Sequence, residues 1–197
     1  MRNWATRAVG ELAHRRDEIN ALNVFPVPDS DTGSNMAHTM EAAVAELDNG
    51  GDVADSLALG AVRGARGNSG MVLSQVLRGV AESTVDSVID GDVFARSLQQ
   101  AVELVDRAIA EPVEGTVITV LKAAAEAADD AEAQSGATLH SIVSAAIAAA
   151  ETALKRTPSQ LPALREAGVV DAGGAGLVIL LESLLAEIEG STGHTGL

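Results

Sequence analysis

The sequence predicts an all-helical protein, and three observations carry that prediction. Alanine, the strongest helix former, fills 36 of the 197 positions. Aromatic residues, which favour strands, are limited to Trp4, Phe25 and Phe94, and tyrosine is absent. Between a few breaks rich in glycine and proline, apolar residues recur at three- and four-residue steps.

The first helix is expected over residues 4–22, where Trp4, Ala8, Leu12, Ile19 and Leu22 fall roughly on one face. It cannot continue into Asn23–Asp31, because Pro26 and Pro28 each remove a backbone donor and restrict the preceding residue. Thr32 or Ser34 can cap a second helix at about 34–48, which Asn49-Gly50-Gly51 ends by turn chemistry. A third helix fits 52–62, Gly64 and Gly67 open a loop, and a fourth helix fits 69–85. Asp90-Gly91-Asp92 then introduces a fifth at 93–110, with Phe94, Leu98, Val102, Val105 and Ile109 at helical spacing. Glu111-Pro112 precedes a sixth at 116–133, and Ser135-Gly136 a seventh at 138–156. A short turn of helix at 161–166 and a last helix at 173–189 follow, with a flexible tail expected over 190–197. About eight helices on short connections suit an up-and-down bundle or a closed helical barrel. No repeat or linker divides them, so residues 1–189 are expected to form one domain.

Charge and composition exclude several function classes. Thirteen Lys and Arg against 28 Asp and Glu give a net charge of −15, which argues against nucleic acid and anionic membranes as partners. With no cysteine, disulfides, thiolate metal sites and thiol nucleophiles are all ruled out. No apolar run reaches the ~18 residues of a membrane span, and the charged start lacks a signal-peptide core. A cytoplasmic location without membrane insertion is the expectation.

Three segments carry polar residues that a helical fold does not require. In the first, N-V-F-P-V-P-D-S-D-T-G-S-N (23–35), Asp29 and Asp31 lie two apart in a proline-stiffened loop before a helix start. They are either capping residues or a carboxylate pair whose repulsion a divalent cation relieves, and oxygen ligands favour Mg²⁺, Mn²⁺ or Ca²⁺. In the second, G-A-V-R-G-A-R-G-N-S-G (60–70), Gly64, Gly67 and Gly70 either allow helices to pack closely or let N–H groups reach an anion at the helix opened by Asn68 and Ser69. The G-K-[ST] ending of a Walker A loop is missing. The third pairs V-E-G-T-V-I-T (113–119) with G-V-V-D-A-G-G-A-G (168–176), where Asp171 is either an N-cap or part of a nucleotide pocket. The four histidines show no triad signature.

At these segments the chain resembles the DhaL (DAK2) kinase domain, in the form found at the amino-terminal, ATP-binding end of bacterial fatty acid kinases. The stretch from Asn23 to Met36 is similar to that family's metal loop, and Gly64-Ala65-Arg66-Gly67-Asn68-Ser69-Gly70, Glu114-Gly115-Thr116 and Val170-Asp171-Ala172-Gly173-Gly174 resemble further motifs in the same order. The likeness spans roughly residues 5–189.

The resemblance implies a closed barrel of eight antiparallel helices with ATP or ADP and two Mg²⁺ held by the loops at one end. It implies that Asp29 and Asp31 are the catalytic, metal-bound carboxylates, with Asn23 near the place of a third metal ligand. Ser30 stands where glycine is usual. Thr32, Gly33, Asn35, Gly67, Asn68, Ser69 and Gly70 would lie by the phosphates, and Gly115, Thr116, Asp171 and Gly173 by the base and sugar. Arg63 or Arg66 could assist.

The implied reaction is phosphoryl transfer to the carboxylate of a fatty acid presented by a separate fatty-acid-binding protein, giving an acyl phosphate for phospholipid metabolism. A carboxylate is already nucleophilic at neutral pH, so no general base and no covalent enzyme intermediate are needed. The relatives are longer, so this is expected to be the catalytic domain of a larger protein, and any homodimer would form through domains absent here. Two other readings stay open: a non-catalytic nucleotide-binding scaffold, or a dihydroxyacetone-type kinase subunit.

Overall fold

In the computed structural model, which describes residues 1–85 and 88–192, helices build the whole core; among the described residues the only extended pairing is an isolated bridge between Val85 and Val88. The helices are α1 (Arg2–His14), α2 (Arg16–Leu22), α3 (Thr32–Glu46), α4 (Val53–Gly64), α5 (Gly67–Ser83), α6 (Gly91–Ala108), α7 (Val117–Glu132), α8 (Leu139–Gln160), α9 (Pro162–Ala167) and α10 (Ala172–Thr192). A 3₁₀ turn at Leu47–Asn49 follows α3.

Neighbour relations close a ring: α1 touches α3, each helix from α3 to α8 touches the next, and α10 lies against both α8 and α1. Neighbours run antiparallel. The ion pairs Arg7–Glu187 (3.2 Å) and Arg15–Glu182 (3.9 Å) show this for α1 and α10, because the numbers rise on one helix as they fall on the other. The expected eight-helix barrel is therefore observed, with α2 and α9 as short additions at one end. Alanine makes the ring tight. Ala5, Ala43, Ala61, Ala101, Ala124, Ala128, Ala146 and Ala150 are all fully buried, and small side chains let helix axes approach. Gly79 takes this furthest: a Cβ there would lie 2.6 Å from the Ser97 carbonyl oxygen on α6.

Several boundaries differ from expectation by two residues or more. The expected first helix divides at Arg15, whose φ of −96° and ψ of 10° offset α2 from α1. The helices α3 and α5 start two residues early, at Thr32 and Gly67. The seventh expected helix, α8, runs through Pro158 to Gln160. Proline has no N–H for the Leu154 carbonyl, and the Thr157 hydroxyl donates to that oxygen instead, at 2.7 Å. Finally, α10 continues to Thr192, so residues 190–192 of the expected tail are helical, and residues 193–197 lie outside the described residues.

The up-and-down course sorts the helix starts by end. The starts of α4, α6 and α8 lie at one end and carry side-chain caps: Asp52 accepts from the N–H groups of Ala54 and Asp55, Asp90 from Val93, and Thr138 forms a capping box with Ser141. The starts of α3, α5, α7 and α10 gather at the other end, together with the three polar segments. Among the described residues, no helix is long and apolar enough to cross a membrane.

Candidate functional site

The four helix starts surround a cleft of about 440 Å³, within the range of small-molecule sites. Residues from all three polar segments line it: Asn23, Asp29, Asp31, Thr32 and Asn35 from the first, Gly67, Asn68 and Ser69 from the second, and Thr116, Asp171 and Gly173 from the third. An apolar wall of Phe25, Pro26, Val27, Ile109, Val113 and Ile118 completes it, with Glu111 at its edge. Its Phe25–Val27 part belongs to the first polar segment, whereas Ile109, expected as the last apolar position of the fifth helix, lies just past the end of α6 at Ala108.

The positive ends of four helices therefore face one volume, and at three of them the N-cap residue's own side chain makes no cap bond. No side-chain hydrogen bond from the N-cap residue closes α3 (Asp31), α5 (Arg66) or α7 (Thr116). Side chains from other segments serve two of these starts: Asn23 Oδ1 takes the first N–H of α3, and the Asp171 carboxylate takes that of α7. Such ends bind anions through free N–H groups and the helix dipole. At the far end the starts of α4, α6 and α8 are closed by their own N-cap side chains, and that of α1 is not.

Asp29 is exposed and Asp31 half-buried, and both face the cleft. Two carboxylates from one loop fit a hard divalent ion that keeps water or ligand oxygens in its shell. Among the described residues, no group of three His, Asp or Glu side chains is placed to hold a metal.

Asn23 departs from its expected role. It is 5% exposed, and its Oδ1 accepts from the N–H groups of Asp31 (3.0 Å) and Thr32 (3.2 Å), which takes both lone pairs. Its Nδ2 donates to the carbonyls of Val27 (3.2 Å) and Phe25 (3.4 Å). The side chain expected as a third metal ligand is thus fully engaged by its own loop. Asn20, which carried no sequence signal, works the same way. Its Oδ1 accepts from Ser34 N–H and its Nδ2 donates to Ser34 Oγ, both at 3.0 Å, joining α2 to the start of α3.

Gly33, Gly70 and Gly115 were expected at the ligand but do not line the cleft; they are close-packing positions. A Cβ at Gly33 would overlap the Arg16 carbonyl oxygen, one at Gly70 would lie 2.5 Å from the Thr39 hydroxyl, and Gly115 has φ +81° against Thr157 and Leu161. Gly67, with φ +62°, sits where a Cβ would lie 2.7 Å from Asn35 Nδ2, so only glycine leaves the Asn35 amide its place. Arg63 pairs with Glu46 at 3.2 Å.

Asp171 is a cap, and it also lines the cleft. As a cap, its Oδ2 accepts from Gly174 N–H at 2.7 Å, and the N–H groups of Gly173 and Val117 also favour its charged form. One carboxylate therefore joins the starts of α10 and α7 while lining the cleft. It is 6% exposed, and burial pushes it up to about 6 against the pull of those three N–H groups. Its own N–H donates to Thr157 Oγ1 at 3.1 Å.

Comparison with known proteins gives a consistent picture. The family model described as DAK2 domain matches residues 26–186. Protein YloV of Bacillus subtilis is 41% identical over 187 residues, covering 92% of this chain and 34% of its own length. An uncharacterized protein of Staphylococcus aureus is 39% identical over 185 residues, covering 91% of this chain and 34% of its own. The chain thus spans about a third of the length of the curated relatives it matches. Among solved structures, the dihydroxyacetone kinase from C. freundii in complex with AMP-PNP and Mg²⁺ superposes with a TM-score of 0.66 at 20% identity, over 94% of this chain and 33% of that one. At that identity the likeness shows a shared fold.

Proposed function

The chain belongs to the DAK2 domain family, and from that premise we propose that it is an ATP- and Mg²⁺-dependent kinase domain that phosphorylates the carboxylate of a fatty acid carried by a separate protein. One observation supports this most: a carboxylate pair, Asp29 and Asp31, shares a 440 Å³ cleft with the starts of four helices, in a chain of net charge −15. Such a chain repels a polyphosphate everywhere except where N–H groups and a metal gather.

Asp29 and Asp31 would hold two Mg²⁺, which would neutralise charge on the phosphates in transfer. Thr32 and Asn35 at the start of α3, and Gly67, Asn68 and Ser69 at the start of α5, would cradle those phosphates. Thr116, Asp171 and Gly173 would border the base and sugar. The C. freundii kinase, with AMP-PNP and Mg²⁺ on the same fold, is in keeping with this assignment. Phosphoryl transfer of this kind asks for positioning and charge neutralisation more than for covalent chemistry.

The N-V-F-P-V-P-D loop favours a fatty acid over dihydroxyacetone as acceptor, and the apolar wall of Phe25, Val27, Ile109 and Val113 suits an acyl-bearing partner. Incubation with γ-labelled ATP and a fatty-acid-loaded binding protein, with hydroxylamine trapping of acyl phosphate, tests the reading. Labelled hydroxamate-forming product is expected. Label on a dihydroxyacetone-loaded partner alone would move the acceptor to a hydroxyl, and nucleotide binding without transfer to either would leave a scaffold.

A further inference from the structure

We propose that Asn23 is the positioning residue of the carboxylate loop: it sets Asp31 and the start of α3 toward the cleft through four hydrogen bonds, and it binds no metal itself. The inference rests on the kinase reading and concerns how two carboxylates suffice there. Residues 23–32 leave α2, pass two prolines and re-enter the barrel as α3, and no regular structure holds the loop between. Asn23 is its buried centre. Its Oδ1 accepts from the N–H groups of Asp31 and Thr32, the N-cap residue and first residue of α3, and its Nδ2 donates to the carbonyls of Phe25 and Val27 on the opposite limb.

The side chain therefore ties both limbs of the loop at once. By receiving the first N–H of α3, it does for that helix what the Asp31 side chain does not, since Asp31 makes no cap bond. The Asp31 carboxylate is thereby left free for the cleft. An oxygen with both lone pairs engaged has none for a cation, and the remaining ligands must come from water or from the nucleotide's own phosphates. Metal binding should accordingly depend on the nucleotide.

The variants Asn23→Ala and Asn23→Asp separate positioning from ligation, with Mn²⁺ as probe and its electron paramagnetic resonance signal as readout, with and without ADP. Measurements are made well below each variant's melting temperature, where a residue that served stability alone would leave the affinity unchanged. For the wild type, Mn²⁺ binding is expected to be weak alone and to tighten with ADP. Asn23→Ala is expected to weaken Mn²⁺–ADP binding by about 10-fold or more, the usual effect of removing a group that orients ligands. Asn23→Asp keeps the acceptor but loses both donor bonds and adds charge beside Asp31, and it is expected to weaken binding too. Unchanged affinity in Asn23→Ala, or tighter binding in Asn23→Asp, would overturn the proposal while leaving the kinase reading in place. A wild type that never bound Mn²⁺ with ADP would overturn both.

Discussion

Asp171 is one side chain on which two helix starts converge, and its burial makes it sensitive to pH. Its folded value of about 6 lies above the ordinary 3.8, so the native state takes up a proton at a pH where the unfolded chain does not. Its contribution to stability is full below about pH 4 and is lost as the pH rises through 6. Between pH 7 and pH 5, the stability of the wild type relative to Asp171→Asn should therefore grow by roughly 1 kcal/mol in urea titrations. A gap that stays flat with pH would contradict the assignment. Ser30 offers a second prediction. It holds φ +55°, the left-handed region that disfavours a side chain. Ser30→Gly should raise stability by about 1 kcal/mol, read as a shift of the denaturation midpoint. The sequence marked Asp29, Asp31 and Asp171 as chemically interesting. It could not show that the Asn23 amide is occupied, because its partners lie across a loop whose course depends on the whole barrel.

Thr157 shows the same dependence on context at the scale of an element. Fully buried, it donates to the carbonyl that Pro158 leaves without a donor and accepts from the N–H of Asp171, so it links the end of α8 to the start of α10. Thr157→Val would leave a carbonyl and an N–H unpaired in the core and should cost about 2 kcal/mol or more, measured by thermal or chemical unfolding. Helix existence was readable from alanine content and spacing, and most breaks from glycine and proline. The end of α8 was placed four residues short, at 156, because the sequence does not show that the Thr157 hydroxyl takes the place of the N–H that Pro158 lacks. The break at Arg15 had no local signal at all, because the apolar spacing of Leu12 and Ile19 passes straight through it. Helix contact is equally specific between α5 and α6: Gly79→Val should cost about 1–3 kcal/mol, because its side chain would enter the space of Ser97 and Ala101.

For the whole molecule, the antiparallel ring decides where chemistry can occur. An up-and-down barrel places alternate helix starts at one end; α4, α6 and α8 are capped there by their N-cap side chains and α1 is not, while at the cleft end α3, α5 and α7 all start without a cap from their N-cap residues. That asymmetry was not legible from residue types, because Asp31 and Thr116 look like capping residues as much as Asp52 and Thr138 do. Only the folded course shows which of them close their helices. It also accounts for how a strongly acidic protein could hold a polyphosphate: helix dipoles and a carboxylate-bound cation supply the positive field that its few basic residues do not. The most direct test is calorimetric titration of ATP into the chain with and without Mg²⁺, beside the double variant Asp29→Ala, Asp31→Ala. Binding that needs Mg²⁺ in the wild type and loses that dependence, with most of its affinity, in the double variant is the expected result. Equal Mg²⁺-dependent binding in both proteins would contradict the site.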